Sequence, residues 1–194
     1  MVRCIKWAVP CFGTLMPSFA WAHINVGDTG FLAGFSHPVL GLDHLLAMLS
    51  VGILSAQIGG KALWSVPLMF VCVMLVGGLL GMAGVPLLSI ELGISLSVLV
   101  LGVAIVFGSR LSKALAMLGV SFFAVFHGYA HGEEMPAVAQ PVLYALGFAT
   151  GTGVIHIVGV LIAQFLKQFR QGNILIRYLG AGITGVGVYL LAGL

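Results

Sequence analysis

The sequence predicts an all-α membrane protein: a bundle of six transmembrane helices behind a cleavable signal peptide, with both ends of the mature chain on the periplasmic side. Three observations predict it. The chain is 60% hydrophobic and 7% charged, with a mean hydropathy of +1.17, whereas a soluble domain carries about 25% charged residues. Its apolar residues fall into six runs, each near the length of about 20 residues that crosses a hydrocarbon core. Its basic residues past the signal recur only at alternate breaks between those runs. The 28 glycines suit this class, because small residues let membrane helices approach closely. The net charge of +3 comes from basic residues scattered singly, without the basic patch of a nucleic-acid binder. The lipid bilayer is the partner that composition implies, and nucleic acid is not.

In chain order, residues 1–22 read as a secretory signal. Arg3 and Lys6 give a positive start, an apolar run follows from Trp7 to Met16, and Ala20-Trp21-Ala22 fits the small-x-small cleavage pattern. The apolar core of about ten residues is too short to span, although an uncleaved anchor is the alternative. Cleavage would make His23 the new N-terminus. Residues 23–194 then form a single six-helix membrane domain. A short polar, glycine-containing segment (23–35) leads into helices expected at 36–57, 62–83, 86–108, 112–132, 141–166 and 174–193. The breaks carry Gly59-Gly60-Lys61, Gly84-Val85-Pro86, Gly108-Ser109-Arg110, the loop from Gly132 to Pro141, and the stretch from Lys167 to Asn173.

Orientation follows from the basic residues. Lys61, Arg110, Lys113, Lys167, Arg170 and Arg177 all fall after the first, third and fifth helices, and the break after the fourth carries Glu133 and Glu134 instead. The positive-inside rule places the N-terminus outside, as signal cleavage independently requires, and six crossings return the C-terminus to the same side. Cys4 and Cys11 lie in the signal, which leaves Cys72 without a pairing partner in the mature chain. Gly77-x3-Gly81 and Gly147-x3-Gly151 read as close-packing helix faces. Two inverted halves of three helices are conceivable, but no internal repeat is visible.

The polar residues inside this apolar frame are few and placed toward one side. His37-x5-Asp43-His44 heads the first helix. Ser36 or His37 can cap it, and Pro38 suits a first turn, where its missing N–H is no loss. Seven residues are nearly two turns, so His37 and His44 share a face, with His44 ~10 Å further along and Asp43 turned toward a neighbouring helix. At the end of the fourth helix His127 and His131 stack at a spacing of four, and Glu134 continues the stripe if the helix persists. Glu91 lies about one turn below the outer end of the third helix, and His156 about 20 Å into the fifth. All five acidic residues and five of the six histidines therefore fall on the outer side; His156 alone is deep.

Ionisable groups at membrane depth are expensive and mark function by default. Imidazole with carboxylate and without thiolate suits divalent first-row metals such as nickel, cobalt and zinc. Plainer readings stand beside this one. His37 can be an interfacial cap, Asp43 and His44 a buried pair pinning two helices, His127 and His131 structural, Glu91 an interfacial carboxylate, and His156 a satisfied core histidine. One or both of Glu133 and Glu134 can be a solvated acidic loop, and His23 a mobile terminus, although its amine and imidazole together can chelate a metal. Met48, four residues after His44, can face the same site; the methionines otherwise read as packing.

His37-x5-Asp43-His44, followed by Met48 and Val51-Gly52, together with Phe126-His127-Gly128-Tyr129-Ala130-His131-Gly132-Glu133, closely resembles the HupE/UreJ family. That family pairs a His-x5-Asp-His motif in its first membrane helix with Phe-His-Gly-x-Ala-His-Gly-x-Glu later. The similarity runs through essentially the whole chain. It implies a nickel permease, with cobalt handled by some members, often associated with urease or hydrogenase maturation. It also implies metal-pathway roles for His37, Asp43, His44, His127, His131 and Glu133; Glu91, His156 and His23 join them only on the argument from position. The metal is then substrate and not cofactor, and the protein is not an enzyme. No Gly-x4-Gly-Lys-Ser/Thr phosphate loop and no His-Glu-x-x-His motif is present. The other classes left open are a non-transporting accessory or sensor protein, and a membrane metalloenzyme that activates water.

Overall fold

The computed structural model describes residues 30–137 and 139–194. The signal peptide expected at 1–22, His23 and Asp28 lie outside the described residues. What is described is all helical: α1 (Phe31–Leu40), α2 (Leu42–Ile58), α3 (Ala62–Met82), α4 (Ile90–Phe107), α5 (Lys113–Glu133), α6 (Pro141–Lys167) and α7 (Gly172–Ala192), with a short 3-10 turn at Gly108–Arg110 between α4 and α5. Five of these, α3 to α7, are long and apolar enough to cross a membrane, and α1 with α2 make a sixth, bent candidate. Three of them have a local reason to start where they do. The Ser112 hydroxyl caps α5 by accepting the Leu115 N–H at 3.2 Å. Pro141 opens α6 at the one place where its missing N–H costs nothing. Gly59 and Gly60, at φ +75° and +54°, make the tight turn from α2 to α3 that a side chain would strain.

The first helix departs from expectation. In place of one helix over 36–57, two helices meet at Gly41 with a bend of 88°. Residues Phe31 to Phe35, expected in a polar lead-in, are already helical, so Pro38 sits inside α1 and not in a first turn. Its ring leaves the Gly34 carbonyl without the donor a helix would supply. Ser36 caps nothing; its hydroxyl bonds back to the carbonyls of Leu32 and Ala33. Gly41 is extended (φ −96°, ψ 123°), and a Cβ there would lie 2.7 Å from Asp43 Oδ1 and 3.2 Å from His44 Nδ1. The corner is drawn tight around the side chains that follow it. At α4, Pro86 to Ser89 stay non-helical and the helix begins at Ile90, so Glu91 stands in its first turn, at the mouth and not a turn below.

Glycines bring the helices together backbone to backbone. On α3 Gly77 and Gly81 face the carbonyls of Val125 and Tyr129, while on α5 Gly128 and Gly132 face those of Met74 and Gly78. Residue numbers rise together on both helices, so α3 and α5 run parallel. Gly147 and Gly151 of α6 likewise face the carbonyls of Phe31 and Phe35 on α1; both expected close-packing pairs are packing faces. Gly102 of α4 meets Gly180 and Thr184 of α7, and Gly187 meets Leu99, which makes that pair antiparallel. Gly52 and Gly159 mark the crossing of α2 and α6. Away from these contacts, Trp64, Leu68, Leu118, Phe122 and Leu161 stand exposed, as lipid-facing helix flanks do.

Charge is segregated along the bundle. Asp43, Glu91, Glu133 and Glu134 line two adjoining clefts at one end. Arg110, Lys167, Arg170 and Arg177 gather around a cavity where α2, α4 and α6 end and α7 begins.

Candidate functional site

Four imidazoles from three helices form a row inside the acidic end. His37 comes from the last turns of α1, His44 from the first turn of α2, and His127 and His131 from the last two turns of α5. The ring centroids of His37 and His131 are 4.9 Å apart, those of His131 and His44 5.0 Å, and those of His44 and His127 4.8 Å. His37 and His44 do not share a helix face, because the chain turns between them. The bend brings both against His131 instead. Below His127 the Phe70 ring intervenes, 5.7 Å from His127 and 5.2 Å from His156, so the deep histidine is separated from the row by one aromatic ring.

Hydrogen bonds orient these rings. The Ser97 hydroxyl has a single proton and sits 2.6 Å from the Ile94 carbonyl, to which it donates. Ser97 Oγ therefore accepts from His127 Nε2 at 2.8 Å, which leaves His127 Nδ1 as the nitrogen with the lone pair. Asp43 Oδ1 accepts the His44 Nδ1–H at 3.0 Å and the His44 backbone N–H at 2.7 Å, which leaves His44 Nε2 with its lone pair. Glu134 Oε2 and His37 Nε2 are 2.8 Å apart. This bond holds the Glu134 carboxyl below its ordinary value, against the opposite pull of its partial burial.

Several ring nitrogens are left over. His44 Nε2, His127 Nδ1 and both nitrogens of His131 are buried without a partner among the described residues, as are both nitrogens of His156. Buried polar atoms are normally paired, and each one left unpaired costs about 1–3 kcal/mol. Among the described residues six of the nine such atoms belong to these histidines; the other three are Gln57 Oε1, Ser65 Oγ and Tyr144 OH. Among the described residues, no three His, Cys, Asp or Glu side chains form a ready ligand set for one ion; the rings follow one another edge to face instead of closing on a point.

The carboxylates lie around this row. Glu91 lines both clefts of the acidic end, one of about 380 Å³ shared with Glu133 and Glu134, the other of about 350 Å³ shared with Asp43 and Ser95. Glu133 ends α5 exposed, and Glu134, just past the last turn, is the one that touches His37; it leaves the stripe of His127 because the helix stops. Counted from Phe126, the closing glutamate of Phe-His-Gly-x-Ala-His-Gly-x-Glu also falls on Glu134, with Glu133 in the variable place, so the motif's role passes from Glu133 to Glu134. Met48 is fully buried, and its sulfur accepts the Thr152 hydroxyl at 3.4 Å, with Met74 Sδ at 3.7 Å from the same oxygen. Ser97, Phe70, Thr152 and the Glu134 contact escaped the sequence reading. Ser97 and Thr152 are common residues whose partners lie 30 and 104 positions away, and no spacing announces them.

These features define a multi-pass helical membrane protein with an imidazole-lined polar interior. The profile of the HupE / UreJ protein family matches residues 11–190. The chain is also 39% identical over 178 residues to Protein HupE of Rhizobium leguminosarum bv. viciae, an overlap of 92% of this chain and 93% of that protein. The chain belongs to the HupE/UreJ family. No solved structure matches it.

Proposed function

We propose that the protein is a secondary permease that carries Ni²⁺, or Co²⁺, across the bacterial inner membrane into the cytoplasm. Residues 1–22 act as its signal peptide, residues 23–194 as the permease domain, and both mature termini are periplasmic. The observation that carries the reading is the row of buried imidazoles whose free nitrogens have no partner among the described residues. A neutral imidazole with one nitrogen hydrogen-bonded and the other bare is the usual state of a metal-ligating histidine. A carboxylate behind it, as Asp43 stands behind His44, fixes the ring and raises its basicity. Membership of a family associated with nickel and cobalt uptake for hydrogenase and urease supports the same assignment.

In this reading Glu133, Glu134 and Glu91 draw a dication to the outer clefts. His37, with His23 if cleavage exposes it, takes the ion first, and His131, His44 and His127 pass it inward. Asp43 supplies charge beside the row, and His156 receives the ion beyond Phe70. A series of partial sites suits passage better than one closed cage, because a carried ion must be held well enough to be selected and loosely enough to leave. An inward-negative membrane potential adds about 2.3 kcal/mol per charge per 100 mV, so about 4.6 for a dication. No chemistry at an ion is required, and the protein is not an enzyme in this account.

The test is uptake of labelled Ni²⁺ and Co²⁺ into sealed vesicles containing only this protein, beside His44→Ala and His131→Ala at equal membrane level. Saturable uptake by the wild type, lost in both variants, is the expected result. Metal binding by the intact protein with no uptake would overturn transport in favour of an accessory or sensor role. Tightly held, non-exchanging metal with hydrolytic activity would favour a metalloenzyme.

A further inference from the structure

The basic end of the bundle holds a half-enclosed cavity of about 660 Å³, within the size range of ligand sites. Four cations from three separate stretches converge on it: Arg110 from the α4–α5 turn, Lys167 and Arg170 from the end of α6 and the turn beyond, and Arg177 from α7. Lys167 is tethered, its Nζ donating to the Ala56 carbonyl at 2.5 Å. The three arginines have no acidic partner among the described residues, where both ion pairs involve histidines at the opposite end. The first turn of α7, at Gly172 and Asn173, opens onto the same space and adds the positive end of its helix dipole. Alternating topology explains why basic residues stand at this end. It does not explain why four of them face one cavity without a counter-charge.

We infer that this cavity binds a phosphate-bearing anion, the phosphodiester headgroup of an anionic phospholipid. Planar guanidinium forks and a helix N-terminus are the groups that recognise phosphate oxygens. Basic pockets between membrane helices on this side are suited to acidic lipid heads. The lining also includes Phe107 and Phe169, which are 59% and 50% exposed. Two aromatic rings beside a cationic cavity at helix ends match an amphiphile, whose acyl chains lie along the helices, better than a free anion. Bound there, the headgroup neutralises the positive end of the bundle and ties the α4–α5 and α6–α7 turns together. The inference does not depend on which ion, if any, the imidazole row carries.

The experiment uses the full-length protein purified in detergent, with thermal stability and retained lipid by native mass spectrometry as readouts. Three probes are added to the wild type: phosphatidylglycerol, phosphatidylcholine and inorganic pyrophosphate. Retention of phosphatidylglycerol with a raised Tm, and neither effect with phosphatidylcholine, is expected. A basic side chain near an anionic lipid contributes about fivefold in affinity, so Arg170→Gln with Arg177→Gln should weaken retention about thirtyfold. Lys61→Gln with Lys113→Gln, which removes the same charge outside the cavity lining, should leave it intact. Stabilisation by pyrophosphate alone would make a free phosphate compound the ligand and overturn the lipid assignment. Equal retention of both lipids, or equal loss in both double variants, would overturn the site itself. Where the arginine double variant fails to fold, Arg170→Gln and Arg177→Gln taken singly, each expected to weaken retention about fivefold, test the site, and no loss in either would overturn it.

Discussion

His131 is costly to the fold. Both its nitrogens are buried and unpaired, and its ring lies flat against Phe148, with centroids 5.0 Å apart and an angle of 11° between planes. An imidazole that serves only packing would be better replaced by a hydrocarbon of similar size. His131→Leu should therefore raise the metal-free stability by about 1 kcal/mol while abolishing any stabilisation by added Ni²⁺. Thermal unfolding with and without the metal checks both halves of that statement. At this scale the sequence was readable where spacing carries the information: His127 and His131 four apart, and Asp43 next to His44. It was not readable where a partner comes from elsewhere. Whether Glu133 or Glu134 meets His37 depends on the residue at which α5 stops, and two adjacent glutamates carry no mark of that. Ser97, which fixes the His127 tautomer, is one serine among many.

Among the elements, the five long helices were legible to within a few residues, because uninterrupted apolar runs bounded by glycine, proline or charge leave little freedom. The corner between α1 and α2 was not, since hydropathy measures apolar content along the chain and is blind to direction. Residues 36–57 read as one continuous span, and one extended glycine divides them. The corner has a sharp steric signature. Gly41→Ala would press a methyl group onto Asp43 Oδ1 and His44 Nδ1, and the hydrogen bond between those two groups would give way before the helices do. The expected outcome is normal insertion and helix content, by circular dichroism, with metal affinity reduced about 10- to 100-fold, the range for a lost outer hydrogen bond to a metal-ligating histidine. Unchanged affinity in isothermal titration would show that the corner merely shapes the backbone.

For the molecule as a whole, the segregation of charge is the dominant feature, and it was the most legible of all, because orientation in a membrane depends on which breaks carry lysine and arginine. The packing adds what composition does not contain: α3 and α5 run parallel and interleave through glycines, and the acidic residues of three different helices line two shared clefts. The proposed orientation makes a direct prediction. A cysteine placed at Glu133 should react with a membrane-impermeant maleimide in intact spheroplasts, while one placed at Arg110 should react only after the membrane is opened. The reverse pattern would invert the protein and, with it, the direction assigned to the row of imidazoles.

If the row carries ions as proposed, its spacing limits how many travel at once. Neighbouring rings stand about 5 Å apart, and two dications at that distance repel by about 13 kcal/mol at an effective dielectric constant of 20. No pair of imidazoles recovers so much. Under the proposed function the row is a single-occupancy corridor, in which a second ion waits at the acidic mouth until the first has cleared the histidines. Flux should saturate hyperbolically with a Hill coefficient of about 1, and a tightly bound competitor such as Cu²⁺, high in the affinity order for nitrogen ligands, should block passage at one ion per protein.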